Sequence, residues 1–216
     1  MSKSQTIERS TENFWDKRAE RYEQSISSHD QQYDQRMAHL RSLVQHTDQL
    51  LDFGCASGEI ALDLAANVKS IDAIDLSKEM ISLAKTKAAQ RNIQNTCFLH
   101  ASISDERLEA ESYNVVLGLN VLHLVHERRE TLQRIYALLK PGGRLLLEIP
   151  CLAEFSWFKR TAIGAASGIG WAPYVYAYSF GEAEEELKSL GFEVLGTNNS
   201  THPEPRTSIA AIKPTD

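Results

Sequence analysis

The sequence predicts an α/β protein of the doubly wound kind, with a mostly parallel sheet and helices on both faces. Three observations point there. Gln49 to Ala65 reads as a short apolar strand (Leu50, Leu51, Asp52), a turn of small residues (Gly54, Cys55, Ala56, Ser57, Gly58) and the start of an amphipathic helix (Ile60, Leu62, Leu64). Val68, Ile71, Ala73 and Ile74 then form a second strand ending at Asp75, followed by Ser77 as an N-cap and by Met80, Ile81, Leu83 and Ala84 of another helix. Further apolar runs (Cys97 to Leu99, Val115 to Leu119, Arg144 to Ile149) alternate with helical periods.

In chain order, residues 1–46 read as an N-terminal helical cap and residues 47–216 as the main domain. Trp15, Ala19, Tyr22 and Ile26 fall at helical spacing, so a helix there carries an aromatic stripe flanked by Arg18 and Arg21. Packing on the sheet and contact with a ligand explain such a stripe equally well. Met37, Leu40, Leu43 and Val44 mark the helix that leads into the first strand. A chain of 216 residues, 42% hydrophobic and 24% charged, suits one domain with a substantial core. A net charge of −6 argues against a nucleic-acid partner, and the pair Lys159-Arg160 does not overturn that. Three widely spaced cysteines (Cys55, Cys97, Cys151) without a secretory signal suggest a reduced, cytoplasmic setting.

The small residues from Gly54 to Gly58 let backbone approach a ligand closely, and only glycine takes a positive φ at low cost. An acid closing the second strand, about twenty residues after such a loop, is placed to accept hydrogen bonds from two ribose hydroxyls. An ordinary turn and a helix-start carboxylate would explain either feature alone; together they make an adenosine site. Charge then selects the cofactor. Glu59 in the first helical turn repels a diphosphate and Ala56 narrows the approach, which disfavours NAD. A Walker loop is excluded because no Gly-Lys-Ser/Thr follows. S-adenosylmethionine carries a sulfonium and an ammonium but no phosphate, and Asp52 and Glu59 suit it.

Asp52-Phe53-Gly54-Cys55-Ala56-Ser57-Gly58 resembles the acidic-x-Gly-x-Gly-x-Gly signature of the class I S-adenosylmethionine-dependent methyltransferases, with Ala56 in place of the middle glycine. Ala73-Ile74-Asp75-Leu76-Ser77 resembles that family's second motif. Tyr113 to Val116 with Asn120-Val121-Leu122-His123 is similar to its fourth strand, and Leu139-Lys140-Pro141-Gly142-Gly143-Arg144-Leu145 to its entry into the fifth. Ser179-Phe180-Gly181 and Gly191-Phe192-Glu193-Val194 resemble the late helix and sixth strand. The likeness implies a Rossmann-like, seven-stranded sheet whose last strand is antiparallel. It also implies a cofactor held by Asp52, Gly54, Cys55, Ala56, Ser57 and Gly58, by Asp75, Leu76 and Met80, by Ser102 and Ile103, and by Asn120 and Val121. A Phe-Trp-Asp…Ala-x-x-Tyr pattern before the first strand resembles the segment that closes over the site in many small-molecule methyltransferases, which makes Trp15 and Tyr22 candidate substrate contacts.

The chain departs from the family after the third strand. Where an acid commonly reaches the adenine amino group, it has His100, Ala101, Ser102 and Ile103, so Ser102 is a weaker acceptor and Ile103 a packing surface. After the fourth strand, His123 is the candidate catalytic residue, a neutral imidazole able to take a proton from a hydroxyl, phenol or enol. A histidine that merely packs beside the cofactor is the plainer reading. His123 and His126 stand three apart without a third ligand of suitable spacing, so no metal is expected. Glu127 to Leu139 is the next helix, stopped by Pro141 and two glycines.

Residues 151–180 read as an aromatic lid inserted after the fifth strand. They hold eight of the chain's seventeen aromatics, which makes Trp157, Trp171 and Tyr176 candidate acceptor contacts alongside His123. Thr161 to Gly181 carries no charge and is long enough to raise a membrane span. Its Gly, Ala, Ser and Tyr, with Pro173 inside, argue against one. The family caps its acceptor pocket here, which suggests a small planar or apolar acceptor such as a phenol, quinone precursor or polyketide, methylated on oxygen or carbon. A homodimer surface or a peripheral membrane contact are the alternatives. Phe192 to Leu195 and Ser208 to Ile212 complete the strands, joined by a turn holding Pro203 and Pro205.

Three catalytic motifs fail. Pro150-Cys151 lacks the pattern of cytosine-carbon methyltransferases, no Gly-x-Ser-x-Gly elbow is present, and the Asn-Pro-Pro-Tyr motif of base-amino methyltransferases is missing. A small-molecule acceptor therefore outranks a nucleic acid, in a monomer or homodimer. A non-catalytic S-adenosylmethionine-binding or partner subunit, and less favourably an NAD-type oxidoreductase, share the fold.

Overall fold

A computed structural model describes residues 3–26, 31–168, 173–201 and 204–215. The strands form a seven-stranded, mostly parallel sheet whose last strand runs antiparallel, the architecture expected from the sequence. Two compact units divide the chain, residues 1–105 and 106–216.

In the first unit, β1 (Gln49–Phe53), β2 (Ser70–Asp75) and β3 (Thr96–His100) lie parallel in the order β3-β2-β1. Leu50, Leu51, Ile71, Ala73 and Ile74 are fully buried because parallel strands covered on both faces bury alternate and intervening residues alike. Helix α5 (Lys78–Gln90) contacts β2 and β3 and buries Met80, Ile81 and Ala84, and its N-cap is Ser77, which accepts a hydrogen bond from Met80 N at 3.2 Å. The N-terminal stripe is not one helix. Helix α1 (Lys3–Asp16) ends in a turn at Lys17-Arg18, and α2 (Ala19–Ile26) begins anew, so Trp15 and Tyr22 sit on different helices and meet edge to face at 6.2 Å. Helix α3 (Gln31–Ser42) buries Met37 and Leu40 ahead of β1.

In the second unit the order is β4-β5-β7-β6, formed by β4 (Tyr113–Leu119), β5 (Leu139–Pro150), β6 (Glu193–Ser200) and β7 (Arg206–Ile212). β4 and β5 are parallel, while β7 runs antiparallel to both β5 and β6. Helix α6 (Arg128–Leu138) connects the first two strands and buries Leu132, Ile135 and Leu138. β5 starts five residues earlier than the apolar run suggests. Leu139 already pairs with Tyr113, and a register shift absorbs the proline and glycines before Arg144 joins Val115. Helices α7 (Trp157–Gly168) and α8 (Glu182–Ser189) follow β5.

Candidate functional site

The turn after β1 is pinned to the end of β2. Gly54 N and Cys55 N both donate to Ile74 O, at 2.9 and 3.0 Å, and Ala56 N donates to Asp75 Oδ2 at 2.9 Å. The other Asp75 oxygen takes Ser77 N at 2.8 Å. Burial raises the Asp75 carboxyl and these two backbone donors counter it. Each oxygen keeps a second lone pair, so the acid that clasps the loop can still accept from a ribose.

The loop backbone has the conformation its small residues permit. Gly54, Ala56 and Gly58 have φ of 76°, 48° and 81°. A Cβ on Gly58 would lie 2.6 Å from Phe98 Cε1 and 2.9 Å from Ala84 Cβ, so glycine is required there on two grounds. Helix α4 (Glu59–Leu64) starts immediately afterwards. Glu59 does not offer its charge to the loop. It bonds Lys87 at 2.8 Å and Arg91 at 2.7 Å, and Lys87 also binds Glu23 while Arg91 binds Asp63 at 3.0 Å. Burial raises the Glu59 carboxyl, but the two cations outweigh it and hold it below the usual range. The expectation that Glu59 repels a diphosphate is corrected accordingly, and the electrostatic weight falls on Asp52.

Asp52 is 3% exposed, and its Oδ2 has no hydrogen-bond partner. Burial, with the charge of Asp75 adding to it, pushes its carboxyl up to about 7. A buried carboxylate oxygen without a partner is costly, and a cation or hydrogen-bond donor placed beside it would satisfy it. Ser57 Oγ is buried and unpartnered as well. Met80 and Ile103 are buried, Leu76 and Ser102 partly exposed, and Cys55 has its thiol pushed up by burial. Asp16, at the end of α1, accepts from Ser77 Oγ at 2.6 Å and Glu79 N at 3.2 Å, tying the N-terminal segment to the start of α5.

In the second unit, Asn120 follows β4 with φ 57°, a left-handed conformation asparagine tolerates, and its N–H donates to Glu148 O at 2.7 Å. Val121 leads into a short turn of 3₁₀ helix, Leu122–Leu124, that carries His123. His123 is 9% exposed, its Nδ1 has no partner, and burial lowers its imidazole to about 4. It is therefore neutral near pH 7 and only weakly basic. Its carbonyl accepts Tyr176 N at 2.7 Å. His126 stacks on Tyr174 at 3.6 Å between ring centroids, and among the described residues no cluster of His, Cys, Asp and Glu is arranged to hold a metal. Cys151 is buried with its thiol raised to about 11, the reverse of an activated nucleophile.

Under α7 lies a cavity of about 480 Å³ lined by Leu152, Trp157, Arg160, Thr161, Ile163, Gly164, Val175 and Ala177. Trp157 is the one predicted contact among its lining residues. Tyr176 is turned elsewhere: its hydroxyl donates to Glu182 and its ring sits 3.3 Å beneath the Arg128 guanidinium. Val175 and Ala177 line the cavity, whereas Tyr176 and Tyr178, whose rings meet edge to face at 4.9 Å, are not among its described lining residues. Among the described residues the lining of the cavity is mostly aliphatic, with the Trp157 indole and the Arg160 guanidinium beside it. Trp171 and Pro203 lie outside the described residues. Sequence reasoning missed Leu152, Arg160 and Ile163. The spacing Trp157, Arg160, Thr161, Gly164 is one helical face and was the available signal.

Residues 50–143 match the family model of a methyltransferase domain. An uncharacterized methyltransferase of Mycobacterium tuberculosis is 31% identical over 46% of this chain and 49% of its own length. A ubiquinone biosynthesis O-methyltransferase of Rickettsia akari is 30% identical over 60% of this chain and 48% of its own. The chain spans about half the length of these curated relatives. A Haemonchus contortus phosphoethanolamine N-methyltransferase, solved with phosphomonomethylethanolamine and S-adenosylhomocysteine, superposes with a TM-score of 0.71 at 16% identity, covering 84% of this chain and 53% of that one. Residues 50–143 are thus similar to a methyltransferase domain, and the fold is one shared with solved methyltransferases.

Proposed function

We propose that this protein transfers a methyl group from S-adenosylmethionine to oxygen or carbon of a small, largely apolar acceptor. The observation that carries the proposal is the unpartnered, buried Asp52 carboxylate oxygen at the foot of a loop clasped by Asp75. A cationic adenosine ligand meets both demands. In this reading Gly54, Cys55, Ala56, Ser57 and Gly58 receive the cofactor, Asp75 holds its ribose, and Leu76, Met80, Ser102 and Ile103 line its adenine.

When bound, S-adenosylmethionine supplies an electrophilic methyl group on a sulfonium leaving group. The chain's own contribution is then mainly alignment, for which holding two reactants in register supplies roughly 7–11 kcal/mol. The second unit takes the acceptor in the cavity beside α7, where Leu152, Ile163 and Val175 offer an apolar wall and Trp157 contributes an indole to the lining. Asn120 and Val121 keep their cofactor assignment and His123 that of the base. A neutral imidazole of lowered basicity suits an acceptor that is already acidic, a phenol or an enol, better than an aliphatic alcohol. Residues 1–46 act as a cap, with Trp15 and Tyr22 as substrate contacts, and residues 151–180 as the cover of the acceptor cavity. The protein works in the cytoplasm as a monomer or homodimer without a nucleic-acid partner.

The test is methyl transfer from labelled S-adenosylmethionine to a panel of phenols, hydroxyquinones and aliphatic alcohols. Product from the acidic hydroxyl acceptors is expected; transfer to the aliphatic alcohols alone would overturn the acceptor class.

A further inference from the structure

Helix α7 is unlike every other helix of the second unit in what it leaves uncovered. From Trp157 to Ala165 every residue except Ile163 is exposed, with Trp157 at 65% and Phe158 at 75%. The two rings meet at 4.3 Å, so they form one apolar knob at the helix start. Lys159 and Arg160 follow directly, and no acidic residue occurs between Ser156 and Gly181 in a chain whose net charge is −6. Lys159 approaches Glu204 at 3.8 Å, but both side chains are more than half exposed, and such pairs are worth little.

Aromatic rings beside cations, on a helix too short to span, form the pattern of a segment lying in a membrane interface. Among the described residues no helix is long and apolar enough to cross a membrane. The local charge selects the kind of surface. Two cations without a nearby carboxylate on the same helix are attracted to anionic headgroups even when the whole protein is acidic, because screening confines the interaction to about 10 Å. We propose that the Trp157-Phe158-Lys159-Arg160 turn of α7 docks the protein on an anionic lipid surface. Trp157, Arg160, Thr161, Ile163 and Gly164 of this helix also line the 480 Å³ cavity, so docking turns its mouth towards the bilayer and admits an acceptor dissolved there.

The test uses vesicles of seven parts phosphatidylcholine to three parts phosphatidylglycerol, with pure phosphatidylcholine as control, and flotation as the readout. Phe158→Ser and Lys159→Gln are the variants because neither residue lines the cavity. The wild type is expected to float with the anionic vesicles and to be released by 0.5 M salt, which shortens the screening length from about 10 Å at 0.1 M to about 4 Å. Lys159→Gln should weaken partitioning about fivefold, the share of one cation near an anionic surface. Phe158→Ser should weaken it about tenfold or more through lost ring burial. No flotation of the wild type, or flotation unchanged in both variants, would overturn the proposal. So would a dimer in sedimentation that Phe158→Ser dissociates without any vesicle binding, which would give the patch to a second copy of the chain. S-adenosylhomocysteine affinity, unchanged in both variants, reports folding and keeps this outcome separate from that of the methyltransferase reading.

Discussion

Asp75 holds Ala56: the carboxylate at the end of β2 accepts the backbone N–H in the middle of the β1–α4 turn at 2.9 Å, nineteen residues away in sequence. The acid expected to receive a ribose is thus also the residue that shapes the loop, and its removal acts twice. Asp75→Ala should weaken S-adenosylhomocysteine binding by about 1–3 kcal/mol through lost charge-assisted hydrogen bonds. Thermal melting without ligand should also fall, because Ala56 and Ser77 lose an acceptor. Wild-type affinity in a destabilised Asp75→Ala protein would assign the carboxylate to the loop alone.

Gly58 is fixed by space and by φ together. Gly58→Ala brings a Cβ to 2.6 Å from the Phe98 ring in a left-handed backbone, at a cost of about 2–4 kcal/mol when overpacking and αL strain are combined. Urea denaturation measures it. Gly58→Ala with Phe98→Leu should recover part of the loss, since the ring is the obstacle.

Asp52 makes ligand-free stability depend on pH. Its carboxyl is raised to about 7 in the folded protein against 3.8 for the free residue. Between those values the folded state holds a proton that the unfolded state has lost, so the stabilisation is complete below about pH 4 and is lost as pH rises through about 7. Asp52→Asn should flatten the fall in melting temperature between pH 5 and pH 7.5. A parallel fall in both proteins would place the titration elsewhere.

The proposal that His123 is the base concerns chemistry rather than binding. If it is the base, His123→Ala should lower turnover on a phenolic acceptor by about 10²–10⁴-fold with cofactor affinity unchanged. Unchanged turnover would reduce it to a packing residue whose carbonyl orders Tyr176.

Much of the first unit was legible because its chemistry resides in residue types. Glycine, aspartate and N-cap serine declare the loop, the strand end and the start of α5. The Asp75–Ala56 clasp was not legible, because a backbone donor leaves no mark in sequence. Glu59 misled for a related reason: its neutralising partners, Lys87 and Arg91, are 28 and 32 residues away on another helix. β6 extends to Ser200 although its second half is Thr, Asn, Asn and Ser; main-chain pairing with β7 holds what apolar periodicity cannot show. The break between α1 and α2 was hidden because Trp15 and Tyr22 keep helical spacing across it. In residues 151–180 composition drew attention to the aromatic side chains, while Val175 and Ala177, on either side of Tyr176, line the cavity, which composition cannot show.

The most direct measurement is calorimetric titration of the purified protein with S-adenosylhomocysteine, with NAD as control, repeated for Asp52→Asn. Binding of S-adenosylhomocysteine alone, weakened about tenfold or more by loss of the charge-assisted contact in the variant, is the predicted result. Binding of NAD instead, or of neither ligand by a folded protein, would contradict the assignment of Asp52 and its loop to a cationic adenosine cofactor.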